Sequence, residues 1–298
     1  MKSLLFVGSN GFLGKNLLPH LKKSYQTTTL DRVNADINLD ITDDNLQINK
    51  SFDIVFHAAG KAHSIPKTEE EKQVFFDVNY EGTINLCRAL EKAGVPKSFI
   101  FISTVAVYGC DFGNNIAEEH PLNGNTPYAL SKIQAEKFLT DWCEKNNAVL
   151  TILRPALLAG VNPPGNLGDM IKGIKKGFYF SIGGGKARKS MLMIEDFAQL
   201  ISLTAEKGGI YNVCDDEHPS FRELEILISK QLGKKPPLNI PYWIVKPMAL
   251  CGDLLGKKAP LNSSKLKKIT HSLTFSNQKA KDILGWQPLS VLENFKIS

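Results

Sequence analysis

Lys2-Ser3-Leu4-Leu5-Phe6-Val7-Gly8-Ser9-Asn10-Gly11-Phe12-Leu13-Gly14 is the stretch that decides the fold. The apolar run to Val7 reads as a strand buried on both faces, and the glycines as a turn into a helix. Gly8 permits a sharp turn, Gly11 lets the backbone approach a diphosphate, and Gly14 lets the helix sit close to the strand. The helix offers free N–H groups and a positive dipole end to phosphate oxygens. The spacing is Gly-x-x-Gly-x-x-Gly, not the Gly-x-Gly-x-x-Gly dehydrogenase fingerprint, and a glycine triplet alone is also what a surface turn looks like. Here it follows a strand and precedes an amphipathic segment (Phe12, Leu13, Leu17, Leu18, Leu21), which predicts dinucleotide binding by Gly8, Asn10, Gly11, Phe12, Leu13 and Gly14.

Working outward, Tyr25 to Leu30 reads as a second strand ending at Asp31-Arg32. Asp31 lies at the distance where an acid accepts the adenosine ribose hydroxyls, which favours NAD. Arg32 beside it would instead attract the extra phosphate of NADP, so NADP stays the alternative. Asp36 to Ile41 alternates as a short strand does, and Asp40 and Ile41 are placed at the adenine edge. Phe52 to Gly60 is a further strand running into small residues, Ala58, Ala59 and Gly60, which leave room for a cofactor. His57 reads as a packed strand-end residue, whereas His63 falls in the loop beyond and is a candidate for substrate contact. Phe75 to Ala93 reads as a helix stopped by Gly94, and Ser98 to Ser103 as a strand. Thr126 caps a helix that opens at Pro127, and Ala148 to Leu153 is a strand ending at Arg154-Pro155. Strands alternating with helices through residue 155 imply a parallel, doubly wound sheet. Beyond it the pattern breaks into turns, two short strands (Met191 to Ile194, Ile210 to Val213) and shorter helices, which suggests a smaller domain. Gly183-Gly184-Gly185-Lys186 lacks the earlier glycine and the following Ser or Thr of a phosphate loop.

The 298 residues suit one large or two closely joined domains, and 43% hydrophobic with 22% charged residues gives an ordinary globular balance. The net charge is +6, with a denser lysine group late in the chain (Lys257, Lys258, Lys265, Lys267, Lys268). It reads as a solvated face, or more weakly as attraction for a multiply anionic ligand. No aromatics alternate with it in the manner of a nucleic-acid platform. Five cysteines, odd in number and without Cys-x-x-Cys spacing, suggest neither a disulfide framework nor a metal site. Together with the lack of a signal-peptide pattern, they fit the cytoplasm. Ile240 to Leu255 is broken by Pro241, Lys246, Pro247 and Asp253 and falls short of the roughly 20 apolar residues that span a bilayer. No membrane and no nucleic-acid partner is therefore expected; the alternative is a peripheral membrane or nucleic-acid binder that uses the late lysines, which a steep salt dependence of binding would support.

Tyr128-Ala129-Leu130-Ser131-Lys132 sets a phenol and an ammonium four apart on one helix face. The ammonium is expected to favour the phenolate, so that Tyr128 removes a hydroxyl proton as hydride leaves the same carbon, while Lys132 also holds the nicotinamide ribose. Tyr-x-x-x-Lys is common by chance, and gains weight from following a dinucleotide half-fold. Ser103 and Thr104 end the preceding strand, where a hydroxyl can polarise the reacting oxygen or simply cap the strand.

These residues together, with His57-Ala58-Ala59, Val78-Asn79, Val107-Tyr108-Gly109, Arg154-Pro155, Ile194-Glu195-Asp196 and Leu284-Gly285-Trp286-Gln287-Pro288, resemble the extended short-chain dehydrogenase/reductases of the nucleotide-sugar epimerase/dehydratase family. The resemblance implies a Rossmann-type doubly wound parallel sheet over residues 1–160 and 187–214. It places a smaller mixed α/β substrate domain over 161–186 and 215–298. It makes Tyr128 the general base or acid, Lys132 its partner and Thr104 the Ser/Thr that holds the reacting oxygen. Ser103, Asn79 and Pro155 then line the cofactor pocket. Asn166-Leu167 matches a pair that contacts the nucleotide diphosphate, and Lys189, with neighbouring Arg188, stands where the family often has a phosphate-binding arginine.

The 4,6-dehydratases of that family carry an Asp-Glu pair directly after the catalytic Thr. Here those positions are Val105 and Ala106, so dehydration is not expected. A 4-epimerase, slightly favoured because Asp31 points to a recycled NAD, and a 4-keto reductase remain, on a UDP-sugar first of all. A non-catalytic dinucleotide-binding relative is the reading of another class, but such proteins typically lose the Tyr or the Lys. Relatives also imply a homodimer through the helices around Phe75–Ala93 and Tyr128–Glu144.

Overall fold

Leu4 and Phe6 face one side of the first strand and Leu5 and Val7 the other, and each pair enters a different hydrophobic core. That is the alternation of a strand covered on both faces. The computed structural model describes residues 1–62, 64–254 and 261–297. His63, Leu255, Lys257 and Lys258 lie outside the described residues. Strands β1 (Ser3–Val7), β2 (Gln26–Asp31), β3 (Ile37–Asn38), β4 (Ile54–His57), β5 (Ser98–Ile102), β6 (Val149–Pro155) and β7 (Gly209–Val213) form one sheet. Their spatial order is β7-β6-β5-β4-β1-β2-β3, and every neighbouring pair is parallel. This is the Rossmann-type doubly wound sheet expected from the sequence. Its order reverses between β1 and β4, the place where such sheets open a crevice at the carboxyl ends of the strands.

On one face the helix Phe12–Ser24 and the helix Asp196–Thr204 pack on Leu4, Phe6, Phe56 and Ile100. On the other the helices Gly82–Ala93 and Pro127–Lys145 cover Leu5, Val55, Phe99 and Phe101. The Pro127 helix begins as read: Thr126 accepts the Ala129 N–H at 3.2 Å, and proline occupies the first turn. The helix read from Phe75 starts earlier, at Glu69. The Thr68 side chain caps it, and Glu69, Glu70 and Glu71 sit in the first turn at the positive dipole end. That turn is exposed and polar, so it carries no apolar period to detect.

The later chain builds a second core from Leu167, Met170, Ile174, Leu224, Ile228, Val291 and Phe295. Met191 and Met193 join this core while Leu192 and Ile194 join the sheet's, so one strand (Met191–Met193) stitches the two together. Ala280, Leu284 and Trp286 pack on the sheet side. We therefore propose that residues 278–286 go with the dinucleotide half rather than the substrate half. Among the described residues no helix is long and apolar enough to cross a membrane, and no cysteine is in a disulfide.

Candidate active site

The three glycines of the first loop do three different jobs. Gly8 has φ +90°, and a Cβ there would lie 2.4 Å from the Ala59 backbone nitrogen, so the ends of β1 and β4 touch across the crevice. A Cβ on Gly14 would lie 2.2 Å from the Ser9 carbonyl oxygen. Gly11 is different: its Cβ would meet only the Gly8 carbonyl oxygen, at 3.4 Å. Nothing in the protein needs a glycine at 11, whereas a ligand pressed against the backbone would. The helix it opens has no side-chain cap and no acid in its first turn, which suits a diphosphate. Gly11→Ala should accordingly leave the melting temperature nearly unchanged but weaken NAD at least about tenfold, equivalent to ~1.4 kcal/mol. Gly14→Ala should destabilise the fold by about 1–3 kcal/mol, as overpacking does. Thermal melts and NAD titrations on both variants check the contrast.

Asp31 ends β2 as expected and is half-buried. One carboxylate oxygen accepts the Asn10 N–H at 2.8 Å and the other accepts the Arg32 N–H at 2.8 Å. The Asn10 side chain donates to the Val33 carbonyl. The acid thus buttresses the glycine loop and keeps lone pairs free to accept further hydrogen bonds. Arg32 is exposed, as is Asp40, while the Ile41 side chain is buried in the core. Only the backbone of Ile41 is left for an adenine.

Asn79 sits in a π-helical turn, Asp77–Glu81, between two α-helical stretches. Such turns carry one extra residue and recur at functional sites. Its amide accepts the Lys61 N–H at 2.7 Å and donates to Ser131 Oγ at 2.9 Å, tying the loop after β4 to the Tyr128 helix. A Cβ on Gly60 would come within 3.0 Å of Asn79 Oδ1 and 3.2 Å of Lys132 Nζ, so these three converge beyond the end of β4. His57 is fully buried, and burial together with the nearby Lys132 charge pushes its pKa down to about 3. Thr83 Oγ1 gives its proton to the Asn79 carbonyl at 2.8 Å, so His57 Nε2 is the donor in the 2.9 Å contact with Thr83. A neutral imidazole locked this way is a packing element, as read.

Tyr128 and Lys132 lie on the first turns of the Pro127 helix, over the carboxyl end of β5. The Tyr128 phenol lies beside Thr104, the second residue beyond that strand. Lys132 is buried, and its Nζ donates to the Ile102 carbonyl at 2.8 Å and stands 4.4 Å from the Phe101 ring centre. The sequence reading had the ammonium make the phenol acidic. Burial instead raises the Tyr128 pKa, and the opposing influence is Thr104 rather than Lys132. Burial also lowers Lys132, to about 7, against the pull of Glu136. Lys132 thus lies beside Asn79 and Gly60, and Thr104 is the polar side chain beside the phenol. Val105 and Ala106 follow Thr104 in a 3-10 turn, and no acid stands there.

Behind these residues lies a buried polar chain that the sequence reading missed. Ser103 Oγ donates to Glu136, whose two oxygens take Arg154 Nε at 3.1 Å and a terminal Arg154 nitrogen at 2.6 Å. The other Arg154 nitrogen donates to Tyr108 Oη at 3.0 Å, and Tyr108 donates to Asn212 at 2.7 Å. Burial works against the Arg154 charge, but the Glu136 carboxylate outweighs it and holds the guanidinium above its ordinary value. The signals were present: Arg154 ends an apolar strand, and a buried charge needs a partner. Glu136 is one turn beyond Lys132.

The proposed substrate residues are more scattered. Asn166 is exposed at the start of the helix Gly165–Lys176, and the Leu167 side chain is buried in the second core. Arg188 donates to the Glu217 and His218 carbonyls and to Glu223. Lys189 Nζ donates to the His271 carbonyl at 3.1 Å. Pro155 ends β6 and is buried. A hollow of about 410 Å³ at the opposite, amino ends of the strands is lined by Lys2, Asp53, Lys97 and Glu206. Those charges pair with one another, Lys2 with Glu206 at 2.6 Å and Lys97 with Asp53 at 3.0 Å.

Among curated proteins the chain is similar to the N-acetyl-alpha-D-glucosaminyl-diphospho-ditrans,octacis-undecaprenol 4-epimerase of Escherichia coli O157:H7. The two are 30% identical over 93% of this chain and 88% of that one. It is also 30% identical to the UDP-glucose 4-epimerase of Vibrio cholerae over 99% of this chain and 94% of that one. The fold superposes on the UDP-glucose 4-epimerase of Thermotoga maritima solved with UDP-glucose, with a TM-score of 0.74, 21% identity and coverage of 98% and 95%. Residues 4–214 match the model of the NAD dependent epimerase/dehydratase family. A glycine cradle at the β1–β4 crevice, an acid closing β2 and a Tyr128–Lys132 pair over β5, with this match, place the chain in the NAD dependent epimerase/dehydratase family, extended short-chain dehydrogenase/reductases that use NAD.

Proposed function

We propose that this protein is an NAD-dependent enzyme that oxidises and re-reduces C4 of a sugar carried on a diphosphate, a UDP-sugar first of all, as a 4-epimerase. The observation that carries the reading is the Tyr128–Lys132 helix face set at the carboxyl end of β5, Lys132 on the Ile102 carbonyl and the phenol beside Thr104, with Val105 and Ala106 where a dehydratase would need acids. NAD, when bound, accepts the hydride and returns it. Tyr128 takes the C4 hydroxyl proton and later gives it back. Thr104 holds the same oxygen and fixes the phenol's direction. Lys132, Asn79 and Gly60 hold the nicotinamide ribose side, Gly8 to Gly14 with Asn10, Phe12 and Leu13 hold the diphosphate, and Asp31 holds the adenosine ribose. Asn166 and the Leu167 backbone, with Lys189 and Arg188, are assigned to the substrate's phosphates.

A 4-keto reductase is the second reading, favoured by the exposed Arg32 beside Asp31, where an NADP phosphate would lie. The Escherichia coli relative, by its name, takes a sugar diphosphate on undecaprenol, so a lipid carrier belongs in the same test. Incubating the enzyme with UDP-sugars, dTDP-sugars, their 4-keto forms and a polyprenyl-diphosphate sugar, with products read by NMR, decides. An epimer without net cofactor loss supports the proposal. Stoichiometric NAD(P)H consumption supports the reductase, and no turnover of any sugar overturns both. Pairing of two copies through the helices Glu69–Ala93 and Pro127–Lys145, where Val74 and Leu130 are exposed, is part of the proposal.

A further inference from the structure

Among the described residues the helix Tyr242–Leu254 is buried along one narrow stripe, with Asp253 beside it accepting hydrogen bonds from Ser263. Val245, Ala249 and Gly252 are its buried residues, and Val245 and Ala249 pack with Leu266, Ile182, Ile240 and Leu261. At 100° per residue, the stripe diametrically opposite is Trp243, Pro247, Leu250 and Leu254. All four are exposed, Trp243 at 73% and Leu254 at 89%. Ile244 and Met248 extend the apolar surface along one flank, and Leu238, 75% exposed, precedes the helix. A continuous apolar stripe on the side farthest from the core is not a folding requirement, and patches of this kind mark contact surfaces.

What surrounds the stripe says which contact. Residues 234–271 contain eight lysines and one aspartate, a net of +7 in a chain whose total is +6. Lys234, Lys235, Lys246, Lys265 and Lys267 are exposed, Lys246 on the helix itself and the others on the segments just before and after it in the chain. Two copies of this face brought together would set like charges against each other. An anionic lipid surface would answer both features at once, taking Trp and Leu into the headgroup boundary and lysines onto its phosphates. Thirteen residues make about 20 Å of helix, too short to cross the hydrocarbon and suited to lying along it.

We infer that Tyr242–Leu254 is an interfacial helix that docks the enzyme on an anionic bilayer. The inference goes beyond the proposed reaction and holds whichever carrier the sugar has. It departs from the expectation of no membrane partner and takes up the alternative, a peripheral membrane binder using the late lysines, on a different observation, the apolar stripe. That expectation took the prolines and charges of this segment as breaks in a span and did not sort its residues by helix face.

Trp142 and Trp286 are buried, so Trp243 is the tryptophan whose emission can respond to lipid. The full-length protein is floated with phosphatidylcholine vesicles, with and without about a third phosphatidylglycerol. Expected is flotation with the anionic vesicles, a blue shift of tryptophan emission, and loss of binding in ~0.5 M salt. The double variant Trp243→Ser/Leu250→Ser should bind at least about tenfold more weakly, with turnover of a soluble substrate unchanged. Absence of flotation with anionic vesicles, or flotation indifferent to the double variant, overturns the inference. So does a wild-type dimer that the same variant dissociates, which would make a second copy the occupant.

Discussion

Tyr128→Phe is expected to lower kcat by about 10²–10⁴, the usual worth of a positioned acid–base group, with NAD affinity within about threefold of wild type. The substitution removes one oxygen and leaves the ring beside Phe75, whose centre lies 6.3 Å away. Thr104 keeps its own hydrogen bond, accepting the Ala106 N–H at 3.1 Å, so the turn should survive. KM should change little, because the lost interaction belongs to the proton transfer and not to ground-state binding. Stopped-flow reading of nicotinamide absorbance, with NAD binding measured separately, checks both halves. Full turnover in this variant would remove Tyr128 from the chemistry.

Glu136→Leu is expected to cost about 3–5 kcal/mol, because it strands the Arg154 guanidinium in the interior with only Tyr108 and a carbonyl for company. For a chain of this size that is roughly 5–8 °C in melting temperature. Arg154→Met should cost a similar amount by orphaning the carboxylate. Combining the two should recover most of the loss, since an apolar pair of similar volume replaces an ion pair whose desolvation was already costly. Differential scanning calorimetry of the two singles and the double closes the cycle. A double variant as unstable as the sum of the singles would mean that the ion pair is not the source of the loss. Activity should fall in the singles as well, because Ser103 and Lys132 both lean on Glu136.

The sheet was legible because its determinants are local: apolar runs at strand length, a glycine triplet after the first of them, Thr126-Pro127 opening a helix. So was the placement of Tyr128, whose helix and the strand end beneath it lie close in sequence. What escaped reading depends on distance across the fold. Glu136 looks like any charged residue on a helix until Arg154, 18 positions later, arrives beside it. The π-helical turn that carries Asn79 to Lys61 and Ser131 leaves no compositional mark. The effect of Lys132 was misjudged for the same reason: Tyr-x-x-x-Lys fixes a shared helix face, not where a four-carbon stem ends. Its ammonium went to the Ile102 carbonyl.

The double duty of Asp31 has a practical consequence. The carboxylate proposed to select the ribose is also the acceptor that holds the Asn10 amide and so the shape of the glycine loop. Changing the enzyme's coenzyme preference by altering this one side chain therefore also loosens the mould in which either coenzyme is cast. A redesign that leaves the acid in place and works through Arg32 has the better prospect of changing taste without losing grip.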